Sequence, residues 1–129
     1  MRNLLKSLGL DQHGTTAVEF AIIAPVFIAM LLGTMALSVG LFLIGSLHFA
    51  VEDGARCASV KAACQVNGVP DATATQTYTQ NHYFGPNVSP TFKYAPAACG
   101  NSVSASVSYS MNVGFKTFVI PISATACFP

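Results

Sequence analysis

The stretch HGTTAVEFAIIAPVF, His13 to Phe27, sets one carboxylate, Glu19, at the entrance of a long apolar run. From Phe20 to Val51 that run continues for about 32 residues, interrupted by nothing more polar than Thr34, Ser38, Ser46 and His48. A helix needs about 20 apolar residues to cross a bilayer, so the run is long enough to span one. As one unbroken helix it measures roughly 48 Å at about 1.5 Å per residue, against a hydrocarbon core of about 30 Å. The membrane segment is placed at about residues 20–45, and the surplus stands outside it.

A cleaved secretory signal fits this pattern poorly. Such signals have an apolar core of about 7 to 15 residues before a small-x-small cleavage site. Here the run is too long, and cleavage at Ala50 would place His48 at the minus-three position. Arg2 and Lys6 precede the span while Glu52 and Asp53 follow it, so the positive-inside rule puts the N-terminus in the cytoplasm. Arg56 and Lys61 soften that asymmetry without reversing it.

Only 9% of the 129 residues are charged and 52% are hydrophobic, with a net charge of +1. That balance offers no basic stripe, and nucleic-acid binding is set aside. All four cysteines, Cys57, Cys64, Cys99 and Cys127, follow the span, on the side expected to be oxidising. Two disulfides are the economical reading for a segment this small, whose core alone supplies little stability.

Beyond the span the periodicity changes. Helical pattern starts near Thr15 and runs to about Ala62, with Pro25 near enough to the start to bend the helix rather than end it. Along it Ala29, Gly33, Ala36 and Gly40 recur at steps of four, three and four, placing small residues on one face where another helix could approach closely. The segment QVNGVPDATATQTYTQNHYFGPNVSP reads as a loop region with one short helix, from Asp71 as N-cap to about Tyr83. From Val103 apolar residues alternate with serines: Val103, Ala105, Val107, Tyr109, Met111 and Val113 share one face of a half-buried strand. After Gly114 a second alternation groups Phe118, Ile120, Ile122 and Ala124, and Pro121 marks that strand as an edge or a bulge. Thr91 to Tyr94 supplies a third strand.

The cysteines allow three pairings. Cys57 and Cys64 lie seven residues apart, about 10.5 Å of helical rise, whereas a disulfide needs Cα atoms within about 7 Å. They pair only if the helix breaks between them. Cys57 with Cys64 and Cys99 with Cys127 is the preferred arrangement, without the spacing deciding it. A zinc site is disfavoured, because there is no C-x-x-C and His13, His48 and His82 are scattered. A hydrolytic triad would need His82 as base, yet Asp71 is the one acid far from the long helix and no nucleophile elbow is present. No enzyme, cofactor, metal or small-molecule substrate is expected.

Glu19 has two readings. Thr16 and Glu19 have the spacing of a capping box, in which Thr16 caps the helix and Glu19 reaches back to its amide. Alternatively, a carboxylate at the membrane edge needs a cationic partner, since intramembrane ionisable groups are costly and usually paired.

The order of residues here resembles the TadE-like pseudopilins, relatives of type IV pilins in the Flp/Tad pilus system. Members show a short basic leader, a glycine, four residues, then Glu-Phe and an apolar helix. In this chain those are Gly14, then Thr15 to Val18, then Glu19 and Phe20. The likeness continues through Pro25 and Gly33 to AVEDGARCAS, and the ending TFVIPISATACFP is also similar. The resemblance implies cleavage by a prepilin peptidase after Gly14, leaving Thr15 with a free amine that pairs with Glu19 of its own or a neighbouring subunit. Many members carry a second glutamate in a Gly-x-x-Glu arrangement; Ala36 stands there after Gly33, so a role tied to that acid does not carry over.

The expectation is therefore an α+β, pilin-like chain: a long N-terminal membrane helix followed by a small disulfide-stapled antiparallel β head. Residues 1–14 form a cytoplasmic leader, 15–62 the long helix and 63–129 the exported head. The chain is expected to sit in the bacterial inner membrane by one pass, its head periplasmic. Its role is that of a minor pilin-like subunit or assembly factor. Partners are prepilin peptidase, other pilin-like subunits, Tad assembly proteins and membrane lipid, with no nucleic acid. The rival reading is a signal-anchored envelope protein whose exported domain binds a partner.

Overall fold

The computed structural model describes residues 13–112 and 116–129, so most of the expected leader, Val113 and Gly114 lie outside the described residues. The chain divides into two compact units, residues up to Leu37 and from Ser38 to Pro129. Helix α1, His13–Val60, begins in the first and ends in the second.

In the first unit α1 passes through Pro25 without ending and is apolar on every side. Its described side chains are exposed almost throughout, as with Phe20, 73% exposed. A helix that is apolar all round belongs in lipid or among other helices. The helix has already formed at His13, two residues before the expected start. Thr16 therefore lies inside the helix of the intact chain rather than at its cap, which weakens the capping-box reading there.

The second unit gathers its core on one side of α1. Leu43, Leu47, Ala50, Val51 and Ala55 are fully or almost fully buried, and their spacing of three and four places them on one helix face. They share a core with Phe92, Val103, Ala105, Val107 and Ala124 from a three-stranded sheet. α1 stops at Val60, where Lys61 turns extended (φ −106°, ψ 128°) and a 3-10 turn, Ala62–Cys64, follows. That stop lies between Cys57 and Cys64, whose Cα atoms are 5.7 Å apart in a disulfide.

A two-residue ladder, β1 (Gln65–Val66) with β2 (Val69–Pro70), comes next. The turn between them, Asn67 and Gly68, has φ of 54° and 79°, the left-handed pair that an Asn-Gly hairpin turn requires. Asp71 caps helix α2, Ala72–Asn81, its carboxylate accepting from the amide of Ala74 at 2.7 Å.

The sheet has the order β3-β4-β5, all antiparallel: Thr91–Ala97, Gly100–Asn112 and Thr117–Phe128. Alternation along β4 works as its sequence demands, with Val103, Ala105 and Val107 buried while Ser106, Ser108 and Ser110 face out. Pro96 in β3 and Pro121 in β5 both lie on edge strands, where a missing N–H breaks no interior ladder. Burial fades along β5. Ala124 is buried and Ile122 half-buried, but Phe118 and Ile120, grouped with them by alternation, are exposed. Cys127 joins Cys99, in the turn between β3 and β4, with Cα atoms 6.2 Å apart.

Candidate functional site

Two regions carry chemistry, and each belongs to its own unit. The first is the start of α1. Gly14 and Thr15 lie in helical backbone, and Glu19 and Phe20 are exposed on the helix. Ala29, Gly33, Ala36 and Gly40 follow along it. A methyl group at Gly33 or Gly40 would meet nothing within 4 Å, so the described chain makes no use of the close approach that glycine allows there. One 45-residue segment, Thr16–Val60, is long and apolar enough to cross a membrane.

The second region joins the end of α1 to α2. Lys61 Nζ donates to Asp53 Oδ1 at 3.0 Å and also to the hydroxyl of Tyr78. The rings of Tyr78 and His82 stack, with centroids 3.9 Å apart, and His82 Nδ1 lies 2.9 Å from the carbonyl of Tyr78. Partial burial pushes the Asp53 carboxyl up, but hydrogen bonds from Lys61 and Tyr78, with the Lys61 charge, hold it below the usual carboxylate range. Hydrogen bonds to Tyr78 and Asp53 raise Lys61 above the usual lysine value. Tyr83 is raised too, mainly by burial, against a hydrogen bond with Ser46. This cluster clasps α2 onto α1. Sequence reading missed it because its members are far apart in the chain, with only the four-residue spacing of Tyr78 and His82, about one helical turn, as a signal.

Among the described residues no three of His, Cys, Asp and Glu come together as a metal site requires. A groove of about 570 Å³ runs between α1 and the end of β5, lined by Phe49, Glu52, Arg56 and Thr125 to Phe128. It holds no nucleophile paired with a base.

These features define a class: an α+β protein with one apolar helix fit to serve as a single-pass anchor, and a small antiparallel sheet stapled by disulfides. The model of the family described as TadE-like protein matches residues 14–56, about a third of the chain, so this segment is TadE-like. That family is a structural rather than enzymatic one of Flp/Tad pili, and the match suggests a pilus-related function and association with pilus components in general. Neither a curated protein nor a solved structure matches the chain.

Proposed function

We propose that this chain is a minor pilin-like subunit or assembly factor of a Flp/Tad-type pilus. The observation that carries the reading is where the family match begins: at Gly14, the residue after which a prepilin peptidase would cut. In this reading the leader, residues 1–14, stays cytoplasmic and is removed. The helix holds the protein in the inner membrane, and the head of residues 63–129 stands in the periplasm.

Processing leaves the amine of Thr15 four residues before Glu19. Opposite charges within a few ångströms in a low dielectric attract strongly, so Glu19 recruits the Thr15 amine of its own or an adjoining subunit. The same surface that lipid covers before assembly is then covered by other helices. Ala29, Gly33, Ala36 and Gly40 let one of them approach closely. Other pilin-like subunits and Tad assembly proteins are the partners this requires.

Mass spectrometry of the mature N-terminus tests the reading. Thr15 should be the first residue in cells with an active prepilin peptidase. Retention of Met1 to Gly14 in such cells would return the chain to a signal-anchored envelope protein.

A further inference from the structure

Helix α1 ends where its own sequence gives it no reason to end. From Lys61 to Val66 the chain reads KAACQV, and lysine, alanine and glutamine are among the best helix formers. No glycine, proline or asparagine stands there before Asn67-Gly68. Local preference alone would carry α1 on to Val66 and use Asn67-Gly68 as its C-terminal cap. Instead, although the Lys61 amide still bonds the Cys57 carbonyl at 2.9 Å in the helical pattern, Lys61 turns to φ −106°, ψ 128° and the helix is over.

What the break provides is the Cys57–Cys64 bridge. In a continuing helix these two residues are about 10.5 Å apart along the axis, beyond the limit of about 7 Å that a disulfide tolerates, whereas here their Cα atoms are 5.7 Å apart. A closed bridge and a helical segment from Lys61 to Cys64 exclude each other. Gln65 makes good the broken end: its Nε2 donates to the carbonyls of Ala58 at 3.0 Å and Ser59 at 3.2 Å. A longer helix would satisfy the same two carbonyls with the amides of Ala62 and Ala63, so Gln65 accommodates the stop rather than causing it.

The position of α2 depends on this stop. After the 3-10 turn the Asp71 amide bonds the Cys64 carbonyl at 2.9 Å, and Asp71 then caps α2. From α2 come Tyr78, bonded to Lys61, and Thr79, packed against Gly54. Were α1 to run on, Gln65 and Val66 would be helical, their ladder with β2 would be lost and the Cys64 carbonyl would point along the helix axis. The chain would then enter α2 from a different place.

We infer that the Cys57–Cys64 disulfide is a redox-controlled stop: closed, it ends α1 at Val60 and docks α2, and open, it lets α1 continue to Val66 and releases α2. Closure converts two thiols into one disulfide and passes two electrons and two protons to an oxidant of the thiol–disulfide class. Both cysteines are fully buried once paired, which shields the bridge from attack by thiols. The device therefore works as a latch, set on oxidation.

Nuclear magnetic resonance of the full chain in detergent micelles tests this. Serine is close to cysteine in helix propensity, so Cys57→Ser with Cys64→Ser opens the bridge without favouring a helix. Cα chemical shifts of Ala62 to Gln65 should move to helical values and the Gly54–Thr79 contact should vanish, while β4 and Cys99–Cys127 persist. Adding Ala62→Pro should reverse both changes, because the residue before a proline is held extended, as Lys61 is, and proline suits the first position of a helical turn. An α1 that still ends at Val60 in the serine variant would overturn the inference. So would failure of Ala62→Pro to return Thr79 to Gly54. If the serine pair also costs the head its β4, recovery of β4 on adding Ala62→Pro supports the stop, and no recovery overturns it.

Discussion

Thr79 occupies the space that any side chain on Gly54 would need: a methyl group there would overlap Thr79 Oγ1 and lie 3.2 Å from its Cβ and Cγ2. Both residues are buried, and Thr79 Oγ1 is tied to the carbonyl of Thr75 at 2.8 Å. Glycine inside α1 is what lets α2 approach this closely. Alanine would gain about 1 kcal/mol in helix propensity, but overpacking a fixed neighbour costs about 1–3 kcal/mol. Gly54→Ala should lower the urea midpoint, and adding Thr79→Ala should recover part of the loss. A measured coupling near zero would show that the two helices separate freely.

The Asp53–Lys61 pair makes stability depend on pH at both ends. Asp53 is held below its ordinary value, so its contribution is present above about pH 4 and is lost as pH falls through the lowered value. Lys61 is raised, so its contribution is present below about pH 10.4 and is lost as pH rises through the raised value. The side chains are 22% and 38% exposed, which keeps the effect at the scale of about 0–1 kcal/mol seen for screened pairs. Urea midpoints of the native chain and Asp53→Asn should differ steadily above the ordinary carboxylate range and converge as pH falls through the lowered Asp53 value.

The two disulfides should contribute unequally. Cys99–Cys127 closes a separation of 28 residues and Cys57–Cys64 one of 7. The chain-entropy model gives about 4 and about 2 kcal/mol respectively. Replacing Cys99 and Cys127 together by alanine should therefore lower the unfolding midpoint more than replacing Cys57 and Cys64. In the exported protein, alkylation without reductant should find no free thiol.

Local pattern was enough for some elements and not for others. Period-two alternation from Val103 marks β4 because one face must be buried, and Asp71 marks α2 because a carboxylate before a helix satisfies its first amides. The same alternation groups Phe118 and Ile120 on the face of Ile122 and Ala124, as β5 has them, yet both are exposed, because apolar identity records what a side chain avoids rather than what covers it. Asn67-Gly68 between Val66 and Val69 was a readable hairpin signal hidden inside a stretch taken as loop. Gly54 against Thr79 had no local signature at all, since it depends on how two distant helices meet. At Glu19 the sequence offered two explanations of one spacing, and the helix already formed at His13 weakens the capping one for the intact chain.

That change sharpens the test of Glu19. With Thr16 inside the helix, Glu19→Gln alters no cap in the intact chain, and glutamine is about as good a helix former as glutamate. Membrane insertion and protein level should be unchanged, as read by immunoblot of membrane fractions. In the proposed reading, what the variant loses is the negative charge that would face the Thr15 amine of a processed subunit. At the membrane edge that attraction is worth up to a few kcal/mol, reduced wherever water reaches the pair. A pilus requires the contact at each helix that joins, so a loss of this size should cut piliation by an order of magnitude or more while the subunit stays anchored. Cells carrying Glu19→Gln should thus hold normal amounts of membrane protein and few or no pili by electron microscopy. Normal piliation would show that the charge is dispensable and that Glu19 has no partner in assembly.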